Sequence, residues 1–90
     1  MTMKIKKGYV LREVAGGYYI IPVGAESIDN SRMITVNETG KTIWEALQSD
    51  KDFDGLLKIM LDTYDVDESN LREDLNSFIN TLRGAGLLED

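Results

Sequence analysis

The segment Asp52-Phe53-Asp54-Gly55-Leu56-Leu57-Lys58-Ile59-Met60-Leu61-Asp62-Thr63-Tyr64 decides the architecture, because it carries the most regular apolar pattern in the chain. Its large apolar side chains recur at intervals of three and four residues, which places them on one helical face. They are Phe53, Leu56, Leu57, Met60, Leu61 and Tyr64. Asp52 precedes them and can accept a hydrogen bond from a free N–H of the first turn. The pattern predicts a helix from about residue 53 to residue 64 with one buried face.

A shorter helix is predicted before this segment, over about residues 38–48. Asn37 can cap it with its side-chain oxygen. Gly40 in its first turn is unusual, because glycine weakens a helix by about 1 kcal/mol relative to alanine. Close packing of the backbone would explain a glycine at this position.

A third helix is predicted over about residues 68–83, capped by Asp67. Gly84 is expected to end it in the left-handed conformation. Its apolar stripe consists of Leu71, Leu75, Phe78, Ile79 and Leu82.

The N-terminal third predicts a small antiparallel sheet. Aromatic and branched residues favour strands over about residues 9–14, 18–23 and 32–36. Glycines within the 15–17 segment can take positive φ angles and close a hairpin between the first two strands. Because a hairpin alone is marginal in water, helices must cover one face of the sheet. The prediction is an α+β fold with a single domain over residues 1–90.

The composition argues against several classes of protein. Sixteen acidic and ten basic residues give a net charge of −6, which opposes binding to a phosphate backbone. The chain has neither His nor Cys, so the usual general base and thiol nucleophile are absent and an enzyme is disfavoured. No apolar run approaches the roughly 20 residues that span a bilayer, and the N-terminus lacks a secretory signal. We therefore expect a cytoplasmic protein that does not bind membranes.

No metal or cofactor is expected. The stretch 50–55, Asp-Lys-Asp-Phe-Asp-Gly, matches the opening of a calcium-binding loop, but position twelve is Leu61 where a bidentate Glu is required.

A second group of acidic residues surrounds the connection between the last two predicted helices. It is either a solvated surface or a face that attracts a basic peptide. Its members are Asp62, Asp65, Asp67, Glu68, Glu73 and Asp74.

Four segments together resemble the PqqD-like family, which is named for pyrroloquinoline quinone synthesis protein D. The Asn-Glu-Thr-Gly segment followed by Trp44 is the most specific of them, and the resemblance spans residues Lys4 to Leu88. The segments are Val10–Val14, Val36–Gly40 with Ile43-Trp44, Tyr64–Asp67, and Leu82 with Gly86–Leu88.

The resemblance implies a winged-helix-like domain that captures the leader segment of a ribosomally made precursor peptide. In this family the leader adds as a strand to the edge of the third strand, in a groove beside the third helix. Main-chain hydrogen bonds supply affinity in such strand addition, and side-chain pockets supply specificity. A separate modifying enzyme, often a radical S-adenosylmethionine enzyme, performs the chemistry. This chain would be a stand-alone, non-catalytic member.

Transferred by position, the resemblance implies a peptide-binding site on the third strand and the third helix. The rotation of the helix is left open by the sequence, so Asp74, Ser77 and Thr81 on its other flank are alternatives to Arg72 and Asn76. The expected contacts are Arg32, Met33, Ile34, Thr35, Val36, Leu71, Arg72, Leu75, Asn76 and Ile79.

Other functions are compatible with the same elements. A winged-helix DNA-binding regulator fits the architecture but not the acidity. A small adaptor or oligomerisation module would bind an enzyme without binding a leader. A free edge strand can also pair with its own copy, which would give a homodimer.

Overall fold

The computed structural model describes residues 2–24 and 33–89. A three-stranded antiparallel sheet precedes three helices, so the predicted α+β fold is confirmed. Predicted and observed element ends differ by two residues or fewer, which is within the usual fraying of helix and strand termini. The strands are β1 (Lys4–Ile5), β2 (Tyr9–Val14), β3 (Gly17–Pro22), β4 (Ile34–Val36) and β5 (Leu88–Glu89), and the helices are α1 (Glu38–Ala46), α2 (Phe53–Thr63) and α3 (Glu68–Gly84).

The main sheet has the strand order β2-β3-β4. Ile20 lies opposite Ile34, and Tyr19 lies opposite Thr35. Because successive side chains alternate between the two faces, Ile20 points to the core, where it is buried, and Tyr19 points away from it. β4 is shorter than predicted: Met33 precedes it as an exposed residue, and Arg32 lies outside the described residues.

The β2–β3 hairpin closes through a two-residue turn. Ala15 has a φ of 53° and Gly16 a φ of 82°, and Val14 pairs with Gly17 across the ends of the strands. Positive φ at both central residues matches the right-handed twist of the strands. The predicted hairpin is therefore confirmed, with an alanine in a conformation that side chains disfavour.

Each helix begins with the predicted cap. The side chains of Asn37, Asp52 and Asp67 accept hydrogen bonds from the backbone N–H three residues further on, at 2.8, 2.7 and 3.2 Å. Each bond satisfies a donor that has no partner within its helix.

The end of α3 differs from the prediction for Gly84. Gly84 is the last helical residue, and the left-handed residue is Gly86, with a φ of 80°. The Gly86 N–H donates to the Arg83 carbonyl at 3.1 Å, and the Leu87 N–H donates to the Leu82 carbonyl at 2.9 Å. This paired closure returns the chain toward the helix. Leu87, the last residue of this closure, is fully buried, as is Leu82.

The N-terminal segment forms pairings that the sequence did not predict. Met3 exchanges two backbone hydrogen bonds with Lys51, at 2.7 and 3.0 Å, and the Ile5 N–H donates to the Leu47 carbonyl at 2.9 Å. β1 also pairs with β5 at the other end of the chain. Met3 and Ile5 are buried, so this segment closes the core between the α1–α2 connection and the C-terminus.

One continuous core joins the sheet, the helices and both terminal strands. No polar side chain is buried among residues 2–24 and 33–89, so the core is held by apolar packing. Its fully buried members are Ile20, Ile43, Leu47, Leu56, Met60, Leu75, Leu82 and Leu87.

We predict that Ala15→Asn stabilises the protein. Asparagine tolerates the left-handed conformation better than alanine, and Asn-Gly is the preferred pair for this turn. The free energy of unfolding should rise by about 0.5–1 kcal/mol, which corresponds to an increase in Tm of a few degrees. Thermal denaturation followed by circular dichroism measures the change.

Gly16→Ala is the matched control in the same turn. A Cβ atom there would meet nothing within 4 Å, so any loss of stability comes from the φ of 82° alone. We expect Gly16→Ala to lower the Tm. An unchanged Tm in both variants would show that the turn does not have this conformation in solution.

Candidate functional site

The main sheet has two edge strands, β2 and β4, and β4 is the edge that lies next to the helices in the chain. This strand pairs with β3 on one side, and its other side has no strand partner in the described part of the chain. Such an edge presents unpaired backbone groups that can accept another strand.

The hydrogen-bond phase of the sheet determines which β4 groups face outward. The Val23 N–H donates to the Gly8 carbonyl at 2.8 Å, so Gly8 and Val23 form a hydrogen-bonded pair. Every second residue of β3 counted back from Val23, which gives Ile21, Tyr19 and Gly17, therefore bonds to β2. Because hydrogen-bonded and non-bonded pairs alternate along an antiparallel ladder, Tyr18 and Ile20 direct their backbone groups toward β4. Thr35, which lies opposite Tyr19, therefore directs its N–H and carbonyl to the free edge.

Three elements converge beside this edge at Gly40. A Cβ atom on Gly40 would lie 3.2 Å from a ring carbon of Phe78, 3.2 Å from the Cβ of Val36 and 3.3 Å from the Oδ1 of Asn37. α1 therefore approaches both β4 and α3 at a point where a side chain would be crowded. This close approach accounts for a glycine in the first turn of α1, where the sequence alone showed only a weakened helix.

A surface cavity of about 280 Å³ opens at this junction, between α1 and α3. It begins at Asn37, the residue that follows β4, so a strand laid along the β4 edge would run toward it. Half-buried Phe78 supplies apolar surface, and hydroxyl, amide and carboxylate groups supply hydrogen-bonding partners. The lining residues are Asn37, Thr39, Gly40, Ile43, Asp74, Ser77, Phe78 and Thr81.

The rotation of α3 separates the predicted site residues into two groups. Leu71, Leu75 and Ile79 are all less than 5% exposed and belong to the core. They support the helix from beneath and offer little surface to a ligand. The flank that lines the cavity carries Asp74, Ser77 and Thr81, the alternatives that the sequence left open.

Arg72 and Asn76 lie on the opposite flank of α3. Arg72 forms an ion pair with Glu68 at 3.2 Å, and its guanidinium lies 5.7 Å from the ring centre of Phe53 at the start of α2. Asn76 is exposed. The structure therefore does not bring these two residues together with the cavity between α1 and α3.

The predicted residues of β4 are placed at the sheet edge with different exposures. Thr35 and Met33 are exposed, Ile34 is half-buried and Val36 is buried. Ile34 and Val36 point toward the core, so they offer an incoming strand little side-chain surface. Arg32 lies outside the described residues.

A second cavity of about 320 Å³ adjoins the first. Thr39 and Asp74 line both cavities. The hydroxyl groups of Tyr64 and Thr42 lie 2.7 Å apart, a hydrogen bond that orients the Tyr64 ring at the wall of the second cavity. The remaining lining residues are Val66, Asp67, Asn70 and Leu71.

The sequence did not identify the contribution of α1 to the site. Asn37, Thr39, Gly40 and Ile43 line the first cavity, although Asn37 was expected only as a helix cap. The unusual Gly40 was the one available signal, because it indicated close packing without identifying the partner.

No group of three or more possible metal ligands occurs within residues 2–24 and 33–89. No helix in the same residues is long and apolar enough to cross a membrane.

The family model described as Coenzyme PQQ synthesis protein D (PqqD) matches residues 25–88. The chain belongs to the PqqD family. The match includes β4, all three helices and every residue that lines the two cavities. A comparison with curated protein sequences finds no match.

Two solved structures have the same fold as this PqqD-family chain. One is TbiB1 in complex with the TbiA(beta) leader peptide, with a TM-score of 0.71 and 21% identity, covering 96% of this chain and 94% of that chain. The other is lasso peptide synthetase B1 complexed with its leader peptide, with a TM-score of 0.71 and 11% identity, covering 98% of both chains. At these identities the likeness establishes the fold.

We predict that Gly40→Ala disturbs the junction of β4, α1 and α3. Alanine favours a helix by about 1 kcal/mol over glycine, but the new methyl group would be crowded by Phe78 and Val36. The free energy of unfolding should therefore fall by about 1 kcal/mol, although helix propensity alone would raise it. NMR should show large shift changes for the Phe78 ring and the Val36 methyl groups.

Gly84→Ala is the control, because a Cβ atom on this helical glycine would meet nothing within 4 Å. It should gain stability from helix propensity alone. If Gly40→Ala and Gly84→Ala stabilise the protein equally, the close approach at Gly40 is not a constraint on the fold.

Proposed function

We propose that this protein is a non-catalytic module that captures the leader segment of a ribosomally made precursor peptide by strand addition to β4. The observation that carries this proposal is the outward-facing backbone of Thr35 beside a cavity between α1 and α3. The two structures with the same fold are both complexes with leader peptides, which supports the same class of ligand here.

The leader's backbone would pair with Thr35, whose N–H donates and whose carbonyl accepts. Exposed Met33 stands next to the same edge, and Arg32 precedes it in the chain. Main-chain bonds of this kind bind an extended peptide without regard to its sequence. The neighbouring cavity must therefore provide the selection among peptides.

Side-chain selection would come from the α3 flank that carries Asp74, Ser77, Phe78 and Thr81. Leu71, Leu75 and Ile79 would act indirectly, by holding α3 in the rotation that presents this flank. We place Arg72 and Asn76 outside the leader's contact surface, because Arg72 is engaged with Glu68 and Phe53.

A separate enzyme would modify the captured precursor, and a radical S-adenosylmethionine enzyme is the class that the family favours. This chain contains neither His nor Cys, so the common general base and thiol nucleophile are absent. The binding module would hold the leader in the cytoplasm while the enzyme reaches the remainder of the precursor.

An NMR titration tests leader capture directly. The labelled protein would be titrated with the leader of the precursor peptide encoded nearest to its gene. Shift changes confined to β4, the start of α1 and the cavity flank of α3 would support the proposal. A folded protein that responds to none of several candidate leaders would favour an adaptor that binds the enzyme alone.

We predict that Thr35→Pro weakens leader binding by about tenfold or more. Proline removes the outward N–H and places its ring where the incoming strand would lie, while an edge strand tolerates the substitution. Isothermal titration calorimetry with the same leader measures the loss.

Glu13→Pro is the matched control on the opposite edge of the sheet. Glu13 lies opposite Tyr18, so its N–H faces away from β3 as that of Thr35 does. We expect this variant to bind the leader as the unmodified protein does. Equal loss of binding in both variants would indicate general damage to the sheet and would count against strand addition at β4.

A further inference from the structure

Two neighbouring cavities lie along α3 and share the lining residues Thr39 and Asp74. Together they are called the channel. The α3 residues that line the channel run from Asn70 to Thr81. Eleven intervals at 1.5 Å per residue give a length of about 16 Å. An extended peptide rises about 3.3 Å per residue, so the channel accommodates about five residues.

The channel is anionic at its midpoint. Asp67 and Asp74 are the charged residues among those that line it, and neither Lys nor Arg is present. The Asp67 carboxylate already accepts the cap hydrogen bond from Asn70. Asp74 forms no ion pair with any residue in the described ranges, and the nearby Arg72 turns away to Glu68.

Apolar surface lies on both sides of Asp74. Half-buried Phe78 lines the first cavity, and half-buried Tyr64 and exposed Val66 line the second. Val66 is 50% exposed, although its side chain is apolar. Apolar groups therefore lie on both sides of Asp74, among the polar side chains of the two linings.

We propose that the channel selects peptides in which a lysine or arginine stands between two apolar side chains. This inference rests on the proposed function and names the chemistry of the leader segment. Side chains two residues apart on an extended peptide share a face and lie about 6.6 Å apart. That spacing is comparable to the rise of about 6 Å from Asp74 to Phe78 along α3. The cation would contact Asp74, and the apolar residues two positions before and after it would fill the cavities.

Selection from a random library of twelve-residue peptides tests this inference without knowledge of the natural leader. The library would be selected against the unmodified protein, Asp74→Lys and Glu73→Lys. Glu73 is exposed and lines neither cavity, so it is the control for added positive charge.

Peptides selected by the unmodified protein and by Glu73→Lys should share an aligned Lys or Arg with apolar residues two positions away. Asp74→Lys should lose this cation and select Asp or Glu in its place. A selected pool with no cation preference would overturn the inference, as would one in which Asp74→Lys retains the preference. Failure to enrich any peptide, or enriched peptides that still bind Thr35→Pro, would overturn the proposed function itself.

Asp74→Asn supplies a measurement that adds no charge. Its affinity for a selected peptide should fall by about fivefold, and replacing the peptide's cation with Gln should then cause no further loss. Both affinities should also become less sensitive to salt. An additive loss from the two changes would show that Asp74 and the cation do not interact.

Discussion

Burial of the apolar stripe of α3 is the constraint on which the rest of the structure depends. Leu71, Leu75, Ile79 and Leu82 are each almost completely buried, and burying one such side chain contributes roughly 1.5–3 kcal/mol. Four buried side chains at helical spacing fix one rotation of the helix against the core. That rotation turns Arg72 toward α2 and turns Asp74 toward the cavity beside β4. The chemistry offered by the surface is thus a consequence of how the core is filled.

The same packing leaves an edge strand that a small protein would ordinarily protect. An unpaired strand invites pairing with other chains, and proteins commonly shorten or cover such edges. β4 has three residues and ends at the crowded junction around Gly40, which limits how much of another strand it can accept. A short edge next to a shaped cavity favours one class of extended ligand over indiscriminate association. This combination suits the proposed binding of a peptide segment.

In the proposed function, affinity and selectivity come from different parts of the molecule. Backbone groups at Thr35 are the same for every extended peptide, so they cannot distinguish one leader from another. The side chains along α3 can, because they place one carboxylate between two apolar surfaces in a chain of net charge −6. Variation along this flank of α3 would change the peptide recognised without altering the strand that receives it. The core residues on the adjacent face of the helix would not need to change.

The local elements could be predicted from the sequence alone: the helix from Phe53 to Tyr64, the three helix caps and the hairpin turn. These signals depend on residues that are close in the sequence, so they can be recognised without knowledge of the tertiary structure. Only the tertiary structure decided the rotation of α3, the role of α1 in the cavity, and the pairing of Met3 with Lys51 and of β1 with β5. Backbone hydrogen bonds between distant segments leave no recognisable side-chain pattern in the sequence. The rotation of a helix depends on all the surfaces that pack against it.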